Sequence, residues 1–257
     1  MSPRPMPFRR SARPAEMRRR IVRRMTGLLM ALAFCGIGAL EAEPAGDAIR
    51  VGHDLANLGW RDMLFGSRPP NRFIGHEDGR IEVLSERSAS LLYLPLRVDP
   101  AQSPCLNWRW RVDRSMAATD LARRGEDDRP LAIYVAFPYQ AREASLSERV
   151  KRLLVEQIEG PDAPGRVLVY VWGGLGLRGD TVMSPHLGSA AVMRILRPGD
   201  SPLGEWRSEQ VDVVDDYRRA FGQAPPFTMH VAIGADSDDT GSASAGMVQG
   251  LAFGACR

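Results

Sequence analysis

The chain has 257 residues, 44% of them apolar and 25% charged, with a formal net charge of +3. The positive excess sits at the start: residues 1–42 hold nine arginines and two glutamates, leaving 25 basic against 29 acidic groups in the rest. A basic total confined to a leader excludes nucleic acid as the expected partner. The remaining length is enough for a core that hides roughly 70% of the unfolded surface, so no metal or disulfide is needed merely to fold.

From the N-terminus, Arg18, Arg19, Arg20, Arg23 and Arg24 precede an uncharged run from Thr26 to Leu40. A basic segment followed by an apolar one is the pattern of a secretory signal peptide, here over Met17 to Ala42. The apolar run is shorter than the roughly 20 residues a bilayer-spanning helix requires. Residues 1–42 are therefore expected to be an N-terminal extension and signal peptide, and 43–257 a single periplasmic or secreted domain with no permanent membrane span. An uncleaved anchor is the alternative, because no clean Ala-x-Ala precedes the cut. Bulky Phe34 ahead of Cys35 argues against lipid attachment.

The dominant rhythm beyond this point is two. From Cys105 to Val112 it sets Leu106, Trp108, Trp110 and Val112 against Asn107, Arg109 and Arg111, as a half-buried strand demands. Leu131 to Phe137 and Val167 to Trp172 read as strands buried on both faces. Asn71–His76 and Arg80–Ser85 flank Glu77-Asp78-Gly79, a hairpin turn. Further strands are expected over Ala89–Val98, Ala190–Arg197, Trp206–Val213, Phe227–Ile233 and Met247–Phe253, nine or ten in all. Ser145 opens a capping box for a helix to Ile158, and Val214–Phe221 reads as a short helix closed by Gly222. Many short strands with no strand–helix alternation predict an all-β chain, a jelly-roll-like β-sandwich with one or two short helices.

Cys35 leaves with the leader, so Cys105 and Cys256 form the one candidate pair of the mature chain. The spacing leaves two outcomes open, a disulfide or two buried thiols.

Asp236, Asp238 and Asp239 make the densest acidic cluster, read as a loop after the strand ending at Ile233. Hard cations such as Ca²⁺ take oxygen ligands at alternating positions, which Asp236, Asp238 and Thr240 supply, with Gly241 for the turn. Met247 at the twelfth position excludes an EF-hand. The plainer alternative is that these aspartates cap their own backbone in turns. No other cofactor is expected.

Asp127 and Asp128 lead into a central strand. Next to Asp216 or Asp236, repulsion would raise one pKa and create the acid beside an ionised partner that glycan hydrolases and lyases use, with Asp128 and Asp236 as the pair. Neighbours on a strand face opposite ways, so at most one of Asp127 and Asp128 is expected to serve. Ion pairs to Arg109, Arg111 or loop arginines are the plainer alternative. The four histidines lack zinc spacing, and His230 reads as a core histidine. Gly173-Gly174-Leu175-Gly176 lacks the lysine of a phosphate loop. Among the tryptophans, Trp108 and Trp110 belong to the core, whereas Trp206, beside Glu205, Arg207 and Glu209, is the candidate for a wet, sugar-stacking ring.

Several of these segments together resemble a family of bacterial exported proteins, domain of unknown function 3047. They are Leu106-Asn-Trp-Arg-Trp-Arg-Val112, Asp127-Asp128 before Ile133–Phe137, Glu205–Glu209, Asp215-Asp216-Tyr217, Phe221-Gly222, and above all Ala232–Gly241 with its Asp-x-Asp-x-Thr-Gly ending. The helix over 147–158 stands out as an insertion. The resemblance implies an exported β-sandwich and no particular activity. The residues point to non-catalytic binding of a saccharide or another cell-envelope ligand through Arg109, Arg111, Asp127, Asp236, Asp238 and Trp206. The alternatives are a glycan hydrolase or lyase and a structural partner of an envelope protein.

Overall fold

The computed structural model describes residues 49–141 and 164–257, so the expected signal peptide and the helix expected over 145–158 lie outside the described residues. Twelve strands and one helix follow in order: β1 (Arg61–Leu64), β2 (Arg72–Gly75), β3 (Arg80–Glu86), β4 (Ala89–Val98), β5 (Cys105–Arg114), β6 (Arg129–Pro138), β7 (Pro164–Trp172), β8 (Thr181–Ser184), β9 (Gly188–Arg197), β10 (Arg207–Asp212), α1 (Val213–Phe221), β11 (Thr228–Asp236) and β12 (Ala243–Gly254). They form a seven-stranded sheet, β1-β4-β11-β6-β7-β9-β8, and a five-stranded sheet, β10-β5-β12-β3-β2. The fold is a β-sandwich of jelly-roll type.

Period-two patterning explains the core. On β5, Leu106, Trp108, Trp110 and Val112 are no more than 2% exposed, and Arg109 and Arg111 point the other way. Facing them across the sandwich are Leu131, Ile133, Val135 and Phe137 of β6, Tyr170 and Trp172 of β7, and Val231 and Ile233 of β11. Aromatic rings join the sheets: Trp108 lies 5.6 Å from Tyr170, and Trp110 lies edge-on 5.5 Å from Trp172. Such pairs add about 0.5–1.5 kcal/mol each beyond the area they bury. The far face of the larger sheet is apolar as well, with Ala132, Val169, Val171, Met193 and Ile195 in a second cluster, so β6 and β7 are buried on both sides.

α1 closes one flank. Asp212 caps its first turn by accepting from the Asp215 N–H at 2.9 Å, and Gly222 ends it at φ 75°, a left-handed conformation that glycine adopts without strain. Its buried Tyr217 packs edge-on against Phe137 at 4.6 Å. A polar tie crosses the sandwich nearby. Glu209 of β10 is buried and accepts from the Trp110 indole N–H at 3.1 Å, Arg178 at 2.8 Å and Arg197 of β9 at 2.6 Å. Three donors satisfy the oxygens of a carboxylate that water cannot reach.

Three features depart from the sequence reading. β1 and β8 are extra edge strands of four residues, too short to establish a period. β11 runs three residues past Ile233, so Asp236 is the last residue of a strand, paired to Ala89 and Arg129, and not part of the loop. Gly234, inside that extension, is there for space: a Cβ would meet Leu91 Cδ2 at 2.3 Å and the Ser90 carbonyl oxygen at 3.0 Å.

Cys105 and Cys256 are joined in a disulfide, with Cα atoms 5.1 Å apart and 151 positions between them in sequence. Closing a loop of that length restricts the unfolded chain by about 5 kcal/mol in the chain-entropy account. Reduction, or Cys256→Ser, is expected to shift the urea unfolding midpoint downward with the fold retained, measured by tryptophan fluorescence with and without dithiothreitol.

Candidate functional site

β4 and β6 begin, and β7, β9 and β11 end, at the same end of the larger sheet. The site is built there from the turn after β11 and the segment before β6. A buried hydroxyl and amide network seats that turn. Asn71 donates to the carbonyls of Ala235 at 2.7 Å and Ser90 at 2.9 Å, and accepts from Ser88 Oγ at 2.7 Å. Ser237, fully buried, meets Ser85 Oγ at 2.7 Å and donates its N–H to the Ser88 carbonyl at 3.0 Å. A satisfied network of this kind is rigid, and it fixes the two aspartates on either side of Ser237.

Asp128 has no solvent exposure and holds the turn from beneath, accepting from the Thr240 N–H at 2.8 Å, the Thr240 hydroxyl at 2.5 Å and the Asp239 N–H at 3.3 Å. Asp127, 2% exposed, contacts His186 Nε2 at 3.0 Å and Arg129 Nη1 at 3.4 Å. The same Arg129 nitrogen lies 3.6 Å from Asp236, and Nη2 donates to the Tyr134 hydroxyl at 2.9 Å. Arg68 pairs with Asp238. Carboxylate oxygens of Asp128, Asp236 and Asp238 lie within 4.8 Å of one another.

This crowding splits the acids. Burial pushes the Asp236 carboxyl well above the ordinary carboxylate range, and a hydrogen bond and repulsion from Asp238, with Asp128 nearby, add to it against the pull of Arg129. Asp238 is held below its ordinary value: burial opposes ionisation, but the hydrogen bond from Asp236 and the Arg68 guanidinium outweigh it. Asp127 is likewise lowered, with His186 and Arg129 overcoming burial. A carboxyl whose surroundings favour its proton thus stands beside one whose surroundings favour ionisation, each about one-sixth exposed.

The structure brings together Asp127, Asp128, Asp236, Asp238 and Thr240. Asp127 and Asp128 precede β6 and do not lie on it, so strand alternation does not separate them and both reach the cluster. The ion-pair partner of Asp127 is Arg129, not Arg109 or Arg111. Those two arginines lie on the outer face of the smaller sheet beside Trp206, across the core from the acids. The single binding surface expected from the sequence is therefore two separate places. Thr240 spends its hydroxyl on Asp128, and Asp128 takes its place next to Asp236 and Asp238 as the third oxygen donor. Asp128 is enclosed by its three donors, so of these three carboxyls Asp236 and Asp238 are the ones a ligand can reach. Asp216 lies in the first turn of α1 and pairs with Arg194 and Tyr170, away from the cluster. His230 packs edge-on to Tyr93 at 5.3 Å, and burial takes its pKa down to about 4.

Sequence reasoning missed Arg68, Arg129, Tyr134, His186 and Asn71. Arg129 had a signal, as the residue directly after the acidic pair. The others come from distant loops and strands and had none.

A two-sheet sandwich with an acid-rich end seated on a buried serine and asparagine network is thus the class of protein in hand. The chain belongs to the family described as Protein of unknown function (DUF3047), whose profile matches residues 58–252. No curated protein matches it in sequence. Solved structures similar to it include a family 12 xyloglucanase from Bacillus licheniformis in complex with ligand, 8% identical, with a TM-score of 0.37, covering 81% of this chain and 90% of that chain. The native form of the family 12 xyloglucanase from the same organism is also 8% identical, with a TM-score of 0.37 and coverage of 76% and 86%. Likeness at that level carries no weight for function.

The raised pKa of Asp236 has a definite sign in stability. Above the unfolded-state value near 3.8, the folded chain holds a proton that the unfolded chain has lost. The stabilisation is therefore complete below that pH and is lost as pH rises through the folded pKa. Asp236→Asn, which keeps the hydrogen bond to Asp238 at every pH, is expected to remove this downward slope. Urea unfolding of both proteins between pH 4 and 8 checks it, and parallel curves would contradict it.

Proposed function

We propose that this protein is an exported, non-catalytic binding module for a saccharide of the cell envelope, and that Asp236 and Asp238 are its reading groups. The observation that carries the proposal is a pair of partly exposed carboxyls, Asp236 and Asp238, with oxygens within 4.8 Å of each other and pKa values driven in opposite directions. Together they offer a hydrogen-bond donor and an acceptor a few ångströms apart, flanked by the Arg68 and Arg129 guanidinium groups. Neighbouring sugar hydroxyls, each both donor and acceptor, match that pattern. The basic and apolar leader supports work outside the cytoplasm.

The same geometry weighs against hydrolysis. Glycosidase carboxyls stand about 5–5.5 Å apart in retaining enzymes and about 6.5–9.5 Å in inverting ones, leaving room for the scissile bond. Carboxylate oxygens of Asp236 and Asp238 instead lie within 4.8 Å of each other, and Asp128 is sealed beneath the turn.

A cation such as Ca²⁺ is the second reading, favoured by the three close carboxylates of Asp128, Asp236 and Asp238. It would have to bind against the raised pKa of Asp236 and the charge of Arg129.

Titration calorimetry against a panel of neutral oligosaccharides tests the proposal. A ligand is expected to bind without turnover and without Ca²⁺, and Asp238→Ala or Asp236→Ala to weaken it at least about tenfold, or 1.4 kcal/mol. Binding abolished by a chelator would favour the cation. Release of new reducing ends, lost in Asp236→Ala, would make the protein a glycosidase, and silence across the panel would favour an envelope partner protein.

A further inference from the structure

The outer face of the five-stranded sheet carries a second constellation, independent of the acid cluster. The segment between β9 and β10 is pinned by hydrogen bonds from the Gly199 N–H to the Gly174 carbonyl at 3.0 Å and from the Gly204 N–H to the Val112 carbonyl at 2.8 Å. It delivers Trp206 onto β5, where the guanidinium carbons of Arg109 and Arg111 both lie 5.3 Å from the indole centroid. Residues two apart on a strand share a face, so both cations meet the ring on the outer side of the sheet, where Trp206 is partly exposed. Arg111 is neutralised by Asp113 at 2.8 Å. Arg109 is exposed and has no ion pair among the described residues. Beside it on this face lie Gln249, its cross-strand partner, and an Asn107–Gln210 amide pair closed at 2.7 Å.

A partly exposed aromatic ring, an adjacent uncompensated guanidinium and a margin of amides match the three contacts an acidic sugar offers: apolar ring C–H groups, a carboxylate and hydroxyls. We propose that this face is a second binding site and takes a carboxylated saccharide, with the sugar ring on Trp206 and its carboxylate on the Arg109 fork. Because the ring is held in place before any ligand arrives, little ordering is needed on binding.

Trp206 supplies its own readout. The other four tryptophans, Trp60, Trp108, Trp110 and Trp172, are no more than 2% exposed, so quenching by acrylamide reports chiefly on Trp206. Titration with oligogalacturonate at low salt is expected to protect that fluorescence. Calorimetry is expected to show affinity falling at least tenfold in Trp206→Ala and in Arg109→Ala, with less loss in Arg109→Lys, which keeps the charge without the fork. Unchanged thermal unfolding shows that the variants are folded. The site is overturned if oligogalacturonate does not protect Trp206, or if an uncharged galactan binds equally well. It is also overturned if dextran sulfate matches oligogalacturonate and its binding survives Trp206→Ala, which would be plain charge attraction.

Discussion

The contact between two sheets of unequal width is what everything else in this molecule depends on, and indole and phenol rings make its centre. Trp108 and Trp110 reach across from β5 to Tyr170 and Trp172 on β7. Large rings hold the sheets apart at a fixed spacing and leave little freedom for either to slide, because interiors are packed as densely as crystals. Glu209 reinforces this spacing in a different way. Its carboxylate ties an edge strand of the smaller sheet to Arg197 at the end of β9, and its third donor is the Trp110 indole, so the apolar and polar connections share a residue.

On that frame the two candidate sites obey opposite rules. At the end of the larger sheet, strand termini and their adjoining turns bring four aspartates and two arginines into a space where burial and repulsion drive the acids' pKa values apart. On the outer face of the smaller sheet, nothing is buried deeply enough to force such a choice, and the chemistry is that of an open surface. A sandwich can carry both because its ends and its faces are made by different parts of the strands.

Much of the fold could be read from the chain. The alternation through Cys105–Val112 and Leu131–Phe137 announces strands and their inward faces, and Asp212 and Gly222 mark α1 by ordinary capping chemistry. The acidic stretch at Asp236 and the Asp127-Asp128 pair were visible as composition. What the chain could not show is register. Whether Arg109 stands beside Asp127 or across the core from it depends on which strands pair, and nothing local to either residue encodes that. The end of β11 shows the same limit: the alternation reads only to Ile233, and the packing of Leu91 over Gly234 belongs to a strand that continues to Asp236.

β9 is inserted between β7, to which it runs parallel, and β8, to which it runs antiparallel. The chain therefore passes over the vacant position to lay down the outermost ribbon before the strand that fills the gap. The β8–β9 hairpin can close locally, through a connection of three residues, and then join β7 as a preassembled flap. Until it does, β7 presents a bare hydrogen-bonding edge rich in valine, the kind of surface on which newly made chains pair with one another. The hazard lies in the interval before the flap closes, and the finished molecule bears no trace of it.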